Sequence, residues 1–238
     1  MCCDCNILTE IIAHFDRQEA LSQHFDASKL WELVAGDDDE IKSWLARALV
    51  FDQENMQTLG LLSLLSLDPD AAVRVEAVDS LGNFSWPQSY FLLKRALYDG
   101  DELVRAYAAY GVAVVGNKLF PGEAKETLQS LLLTETSVRV KIDIFEGLYI
   151  LGDNSALTHL IQCYNMGDYH VKCAVLNALE NQLSNKSINQ IIYFLNNCRI
   201  EKEPIAVKST FSRLLAECRK MNITSYLRSD EDPLGTAW

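Results

Sequence analysis

The sequence predicts an all-α protein, an α-solenoid of about six stacked helical hairpins, that is, an α-α superhelix. The first observation is a short motif that recurs along the chain: an acid, two further residues, a β-branched residue and a base. Its bases stand at intervals of 31 to 36 residues, which is the period expected of helical repeat arrays. Copies of the motif end at Lys42, Arg74, Arg105, Arg139 and Lys172, and a weaker copy without the acid ends at Lys208.

The second observation is an apolar stripe that follows each motif. Residues four and eight positions beyond the β-branched residue share one face of an α-helix, and they are mostly apolar. We call the helix that carries this stripe helix B of each repeat. Glu146 interrupts the stripe in the fourth copy, where Phe145 and Leu148 are expected to take over the packing. The stripe consists of Leu45, Ala77, Ala108, Ile142, Val175 and Phe211 at the first offset, and of Leu49, Leu81, Val112, Leu179 and Leu215 at the second.

A second amphipathic segment precedes each later motif and predicts a helix A. Helix-breaking pairs such as Gly116-Asn117 and Pro121-Gly122 are interpreted as the joints between helices. The alternation of apolar and polar residues that is typical of strands is missing, so a sheet is not expected. The predicted A helices cover residues 55–65, 89–98, 124–133, 156–164 and 187–195.

The two ends of the chain differ from the repeats, as the ends of a solenoid must. Residues 1–36 are predicted to form capping helices, the second of which starts at Asp26 or Ser28, and residues 37–220 to form the repeat array. Residues 221–238 are predicted to be a disordered tail, with docking of Trp238 as the alternative.

Charge and hydropathy limit the possible partners. The net charge is −12 and the pI about 4.8, which argues against nucleic acid, because binding to phosphates needs Lys and Arg. Opposite charge favours a basic protein as the partner. No apolar run approaches the roughly 18 to 20 residues that cross a bilayer, and the N-terminus lacks the features of a signal peptide. We therefore expect a cytoplasmic protein that does not bind membranes; the oligomeric state stays open.

The acids and bases of the motif predict a structural ladder along the array. An acid just before a helix caps its free N–H groups, whereas a base in the first turn is poorly placed for the helix dipole. The recurring base therefore needs nearby carboxylates, which we expect in its own turn and in the adjacent repeat. The predicted ladder residues are Asp70, Arg74, Asp101, Arg105 and Arg139.

At these residues the chain resembles a known family. The segments DAAVRVEAVDSLGNF and DELVRAYAAYGVAVVG are similar to HEAT repeats, particularly to the short form named after phycobilin lyases. The resemblance is strongest over residues 68–116 and extends more loosely over about 37–218. It implies an α-solenoid whose B helices line the concave face. It implies little about function, because such repeats occur in scaffolds, inhibitors, lyases and DNA-repair enzymes.

If the B helices line the concave face, the outward positions of those helices are the candidate binding residues. Aromatic side chains are good anchors of protein interfaces, and acids select a basic partner. The alternative is that these aromatic side chains pack between helices. The predicted partner-binding residues are Trp44, Arg47, Glu76, Asp79, Tyr107, Tyr110, Lys141 and Asn177.

No motif in the sequence predicts a reaction centre. The four histidines form no HExxH, no His-Glu pair and no zinc spacing, and the chain has no phosphate-binding loop or nucleophile elbow. The thiols of Cys2, Cys3 and Cys5 are able to bind a soft metal or carry a lipid, but lack a second ligand cluster. We therefore expect no catalytic residue, no metal site and no cofactor.

These observations favour a non-enzymatic scaffold that binds another protein. In its most concrete form it is an immunity or inhibitor protein that blocks a basic toxin or enzyme. The alternatives are a bilin lyase-like protein that handles a chromophore and a general adaptor. A DNA-repair glycosylase of the HEAT type is disfavoured, since the acids at Glu76 and Asp79 oppose binding of DNA.

Overall fold

The structure is a computed structural model that describes the backbone of residues 3–53 and 55–229 and the side chains of residues 6–53 and 55–221. Within these residues every regular element is a helix. Two short 3-10 helices cover Leu21–Gln23 and Leu49–Phe51. The α-helices are α1 Cys3–Asp16, α2 Ala27–Ala35, α3 Asp39–Ala48, α4 Met56–Leu65, α5 Ala71–Leu81, α6 Pro87–Ala96, α7 Glu102–Leu119, α8 Pro121–Leu132, α9 Val138–Ile150, α10 Ala156–Cys163, α11 Tyr169–Asn181, α12 Ile188–Asn197 and α13 Ile205–Ser229.

The chain forms two compact units, of which the first ends at Asp153 and the second begins at Asn154. In the first unit α1, α3, α5, α7 and α9 pack side by side in chain order, and we call them the B layer. Helices α2, α4, α6 and α8 cover one side of that layer, and α4, α6 and α8 each pack against the helix that follows. The second unit consists of the hairpins α10–α11 and α12–α13, with α11 packed on α13. The described helices thus form stacked hairpins, as predicted.

The predicted apolar stripe forms the core. Leu45, Ala77, Ala108 and Ile142 are completely buried, each at a position where a B helix meets its neighbours. Glu146, which interrupts the stripe, is also buried, with 3% of its surface exposed. Its position in the helix therefore decides its burial, although its side chain is polar.

Side-chain caps explain the acid of the motif. Asp70 Oδ1 accepts hydrogen bonds from the backbone N–H groups of Ala72 and Val73 at 2.8 and 3.2 Å, and Asp101 caps α7 in the same manner. These carboxylates compensate the free N–H groups of the first turn. In the fourth copy the cap is Ser137, not the expected Glu135.

The bases of the motif bind acids in the loop before the next B helix, and one of these acids, Glu135, is itself the acid of the next motif copy. Arg74 pairs with Asp99 at 2.8 Å, and Arg105 with Glu135 at 2.8 Å. Asp70 and Asp101 therefore act as caps, whereas Asp68, Asp99 and, in the second unit, Glu203 pair with bases although they are not motif acids. Glu135 is the motif acid that pairs with the base of the preceding copy.

Arg139 differs from the ladder prediction. It binds Asp143, one turn further along its own helix α9. The base therefore pairs within its own helix, as residues four apart on a helix can.

The joints of the chain also differ in part from the prediction. The pair Gly116-Asn117 lies inside α7 and not at a joint, and the joint falls at Phe120–Pro121. Gly116 is required by packing, because a Cβ there would overlap the Cβ of Ala124 on α8. Helices α6 and α8 begin earlier than predicted, at Pro87 and Pro121, since proline fits the first turn of a helix.

The tail predicted to be disordered begins as a helix, because the backbone of residues 221–229 continues α13. Residues 230–238, with Trp238, lie outside the described residues. The side chains of Cys2, Cys3 and Cys5 also lie outside them. Of the helices within residues 3–53 and 55–229, none has the length and apolar character needed to cross a bilayer.

Candidate protein-binding groove

The exposed side of the B layer carries a groove of about 380 Å³ in the first unit. Helices α1, α3, α5 and α7 contribute to it, together with the 3-10 helix Leu49–Phe51. The side chains that matter below are those of Phe15, Arg47, Phe51, Glu76, Asp79 and Tyr107.

Arg47 is held in place by three contacts. Its guanidinium binds the carboxylate of Glu76 through two nitrogens, with Nε 2.9 Å from Oε2. The guanidinium carbon also lies 4.9 Å from the ring centroid of Trp44 and 5.9 Å from that of Phe15. Bidentate pairing and ring stacking suit the planar guanidinium group. The charges of Arg47 and Glu76 therefore largely compensate each other.

Three aromatic rings form one wall of this region. The ring centroid of Phe15 lies 5.7 Å from that of Trp44 and 5.7 Å from that of Phe51. All three side chains are half-buried. Trp44 thus packs against α1, which lies outside the repeats, and still keeps part of its surface exposed. The two alternatives left open by the sequence, an exposed binding residue and a ring packed between helices, therefore both apply in part.

Asp79 differs from Glu76 because its carboxylate has no hydrogen-bond donor among the described residues. The residue is exposed, but protein atoms of the groove surround its carboxylate. This partial burial raises the pKa of Asp79, and the neighbouring Glu76 raises it further, while Arg47 opposes the shift. Asp79 is therefore an acid with unused hydrogen-bonding capacity.

Two tyrosines of α7 lie beside this acid. Tyr107 and Tyr110 are half-buried, and neither hydroxyl has a hydrogen-bond partner among the described side chains. Burial raises the pKa of both phenols, and the charge of Asp79 contributes in each case. Tyr107 lines the groove itself, so its ring and hydroxyl are available to a bound group.

Two buried acids of α9 continue the acidic character of this face. Asp143 and Glu146 both act electrostatically on Tyr110, although only small fractions of their surfaces are exposed. Burial raises the pKa of Asp143 to about 6, and Arg139 opposes this shift. The face therefore offers acids and aromatic rings together, which is the chemistry that binds cationic groups.

The comparison with protein families matches one segment of the chain. Residues 89–180 match the profile of HEAT repeats. This segment of the chain is similar to HEAT repeats. This segment includes α7 with Tyr107 and Tyr110, and the predicted resemblance to the family is confirmed.

Other comparisons add little to this match. No curated protein matches the chain. Among solved structures, the crystal structure of an engineered protein is similar, with 20% sequence identity and a TM-score of 0.44. The alignment covers 82% of this chain and 97% of that one.

The structure gathers only some of the predicted binding residues in the groove. Arg47, Glu76, Asp79 and Tyr107 line it together. Trp44 and Tyr110 do not line the groove. The Trp44 ring contacts the guanidinium of Arg47, and Tyr110 lies one turn after Tyr107 on α7. These residues all belong to the first unit, so the candidate binding face is described on that unit alone.

Two predicted binding residues are placed elsewhere. Lys141 is half-buried on α9 and forms no ion pair within the described part of the chain. Asn177 lies in the second unit, where its side-chain oxygen accepts a hydrogen bond from Arg213 at 2.7 Å. Neither residue lines the groove.

Two residues of this face were missed by the sequence analysis. Phe15 belongs to α1, outside the repeats, so no repeat offset points to it. Asp143 lies five residues beyond Val138, an offset not used to select the outward positions. Its spacing of four from Arg139 was a usable signal, because such pairs meet on a helix surface.

Proposed function

We propose that this protein is a non-enzymatic HEAT-repeat scaffold that binds a basic partner protein through the groove of its first unit. The observation that carries the proposal is the carboxylate of Asp79, which lies without a hydrogen-bond donor beside the ring of Tyr107. An arginine or lysine side chain of a partner supplies the missing donor and stacks on the ring.

The different environments of the two groove acids, Glu76 and Asp79, support this proposal. Glu76 is bound to Arg47 and adds little net charge, whereas Asp79 keeps its charge and its acceptors. A cation that enters the groove therefore meets one available acid and does not have to break an existing ion pair. The net charge of −12 adds long-range attraction to a basic surface.

In its more specific form, the proposal makes the protein an immunity or inhibitor protein that blocks a basic toxin or enzyme. A general adaptor uses the same groove without blocking an activity, and an inhibition assay with the isolated partner separates the two. We rank the bilin lyase-like alternative lower, because a linear tetrapyrrole carries carboxylates and Asp79 repels them.

The partner is best captured at the groove itself. A photo-crosslinking amino acid in place of Asn83, which lines the groove, is expected to capture the partner in extracts of the source organism. The matched position is Gln129, which is exposed on α8, away from the groove lining. Equal capture from both positions, or capture of an acidic protein at Asn83, contradicts the proposal.

The captured partner then allows a direct test with purified proteins. The substitution Asp79→Lys is expected to weaken binding by at least about tenfold, since it replaces the attracting charge with a repelling one. Charge reversal at Glu76 is a poorer test because it also breaks the pair with Arg47. The control is Glu126→Lys, an exposed acid on α8. If both variants bind equally well, the groove is not the binding site.

A further inference from the structure

Two histidines and a glutamate meet where α1 ends. His14 lies in the last turn of α1, Glu19 follows the helix, and His24 follows the 3-10 helix Leu21–Gln23. One ligand atom from each of these residues lies within 4.8 Å of the others. His14 Nδ1 is 2.7 Å from Glu19 Oε2, and His24 Nε2 is 3.4 Å from the same oxygen. Three potential metal ligands thus converge.

The backbone turn that brings these groups together is unusual. Gln18 has a φ of +57°, a left-handed conformation that is uncommon for residues other than glycine. This conformation allows the N–H of Glu19 to donate to the carbonyl of His14 at 3.0 Å. It also allows the N–H of Gln18 to donate to the carbonyl of Phe15 at 2.9 Å. This is the Schellman arrangement, in which glycine is usual. The strained residue fixes Glu19 beside His14.

Buried contacts hold the other side of the cluster. The carboxylate of Asp52, only 3% exposed, accepts hydrogen bonds from the N–H groups of Leu21 at 2.8 Å and Ser22 at 3.2 Å. The ring of His24 stacks on that of His14 with centroids 3.9 Å apart. The segment between Glu19 and His24 is therefore fixed to the body of the first unit by Asp52. The two stacked rings have to tilt apart to bind one ion, because an imidazole nitrogen binds a metal in the plane of its ring.

The hydrogen bonds inside the cluster conflict with one another. His14 Nδ1 lies 2.7 Å from Glu19 Oε2 and also 3.0 Å from Nη2 of Arg17. A ring nitrogen carries either a proton or a lone pair, so Nδ1 donates to Glu19 or accepts from Arg17, but does not do both. A cation removes the conflict, because the lone pair of Nδ1 and the carboxylate then face the same positive charge. The Arg17 side chain is 55% exposed and is free to turn into water.

The donor set identifies the class of ion. Two imidazoles and a carboxylate suit zinc and neighbouring transition metals, whereas magnesium and calcium prefer ligand sets of oxygen alone. Two ligands bound to zinc at tetrahedral positions lie about 3.4 Å apart, as His24 Nε2 and Glu19 Oε2 do. The pair of His14 and Glu19, at 2.7 Å, has to widen by about 0.7 Å.

We propose that His14, Glu19 and His24 bind a divalent transition-metal ion such as zinc, with water in the fourth position. The ion joins the end of α1 to the residues that follow the 3-10 helix. The role is independent of partner binding in the groove.

The test uses zinc and the imidazole signals of the full chain in nuclear magnetic resonance spectra. Cys2, Cys3 and Cys5 are first replaced by serine, because their thiols compete for zinc. Addition of zinc is expected to shift the signals of His14 and His24 and to leave those of His159 and His170 in place. The latter two residues are exposed in the second unit and serve as internal controls.

Variants separate a metal site from a merely structural cluster. The substitutions His24→Gln and Glu19→Gln are each expected to weaken zinc binding by about tenfold or more, since the loss of an outer partner already costs 10-fold to 100-fold. The substitution Arg17→Gln is expected to strengthen it, because it removes a competing positive charge. The matched control His170→Gln leaves the affinity unchanged. If the signals of His14 and His24 stay in place with zinc in excess, or if His24→Gln binds as well as His170→Gln, the proposal is wrong.

Discussion

Arg74 donates two hydrogen bonds to Asp99, from Nε to Oδ2 at 2.9 Å and from Nη2 to Oδ1 at 2.8 Å, and so joins α5 to the loop before α7. Burial alone would raise the pKa of Asp99, but the hydrogen bonds from Arg74 and from the N–H of Asp101 outweigh it and lower the pKa. The acid between two hairpins therefore stays charged and bound.

The first prediction concerns this pair. The two side chains are only 17% and 15% exposed, so a double-mutant cycle of Arg74→Gln and Asp99→Asn should give a coupling energy of about 1 to 2 kcal/mol in urea unfolding. The control cycle uses Lys94 and Glu123, which also pair between neighbouring hairpins but are more exposed. Its coupling should be close to zero and should vanish in high salt. Equal coupling in both cycles would show that burial does not strengthen the Arg74–Asp99 pair.

The second prediction concerns the close approach of α7 and α8 at Gly116. An added Cβ would overlap that of Ala124 and come within 3.0 Å of the Tyr90 ring, so Gly116→Ala should destabilise the protein by about 1 to 3 kcal/mol. The control is Gly122→Ala on α8, where nothing lies within 4 Å of the new Cβ. That control should be neutral or slightly stabilising, because alanine favours a helix. The melting temperatures of both variants give the comparison. If Gly116→Ala melted at the same temperature as the native chain, the close contact of Gly116 with Ala124 and Tyr90 would be contradicted.

The fold was predictable because the signals that specify it lie close together in sequence. Apolar residues stand four and eight positions after Val73 and after Val104, and burial follows that helical spacing. The acid of the motif was correctly interpreted as a cap in every copy with an acid except the fourth, since capping is a contact between near neighbours in the chain. These local rules need no knowledge of how the hairpins stack.

The contacts that were not predicted depend on the stacking itself. The choice of Asp99 over Asp101 as the partner of Arg74 follows from the distance between hairpins, which no spacing in the sequence reveals. Gly116 was interpreted as a joint because glycine also marks turns, whereas here it allows two helices to touch. The cluster of His14, Glu19 and His24 escaped notice because it depends on the left-handed turn at Gln18.

The third prediction concerns Asp52, a buried acid that the sequence analysis also missed. Its carboxylate accepts hydrogen bonds from the N–H groups of Leu21 and Ser22 and from the hydroxyl of Ser22. The substitution Asp52→Ala leaves those donors unpaired and should cost about 1 to 3 kcal/mol. Hydrogen exchange at the amides of Leu21 and Ser22 should accelerate far more than exchange in α7.

The control for Asp52 removes the same charge at an exposed position. Asp37 is exposed before α3 and forms no hydrogen bond with another described residue. Its replacement by alanine should leave both the stability and the exchange rates close to those of the native chain. If Asp52→Ala behaved in the same manner, the hydrogen bonds at Leu21 and Ser22 would not hold this segment.

The fourth prediction concerns the pH dependence that Asp143 produces. Burial raises its pKa from 3.8 to about 6, so the folded protein binds this proton more tightly than the unfolded chain does. Protonated Asp143 therefore stabilises the folded protein fully below about pH 4, and this stabilisation is lost as the pH rises through about 6. The total loss is of the order of 2 to 3 kcal/mol, because a tenfold change in proton affinity corresponds to about 1.4 kcal/mol.

The variant Asp143→Asn removes this titration and keeps an acceptor for Arg139. In urea unfolding it should be close to the native chain in stability near pH 4 and more stable than it near pH 7, with the difference growing between these values. Asp37→Asn, which removes one exposed charge, controls for the general effect of net charge. A stability difference for Asp143→Asn that is independent of pH would mean that Asp143 is ionised throughout this range. Its charge would then be compensated by Arg139 despite its burial in α9.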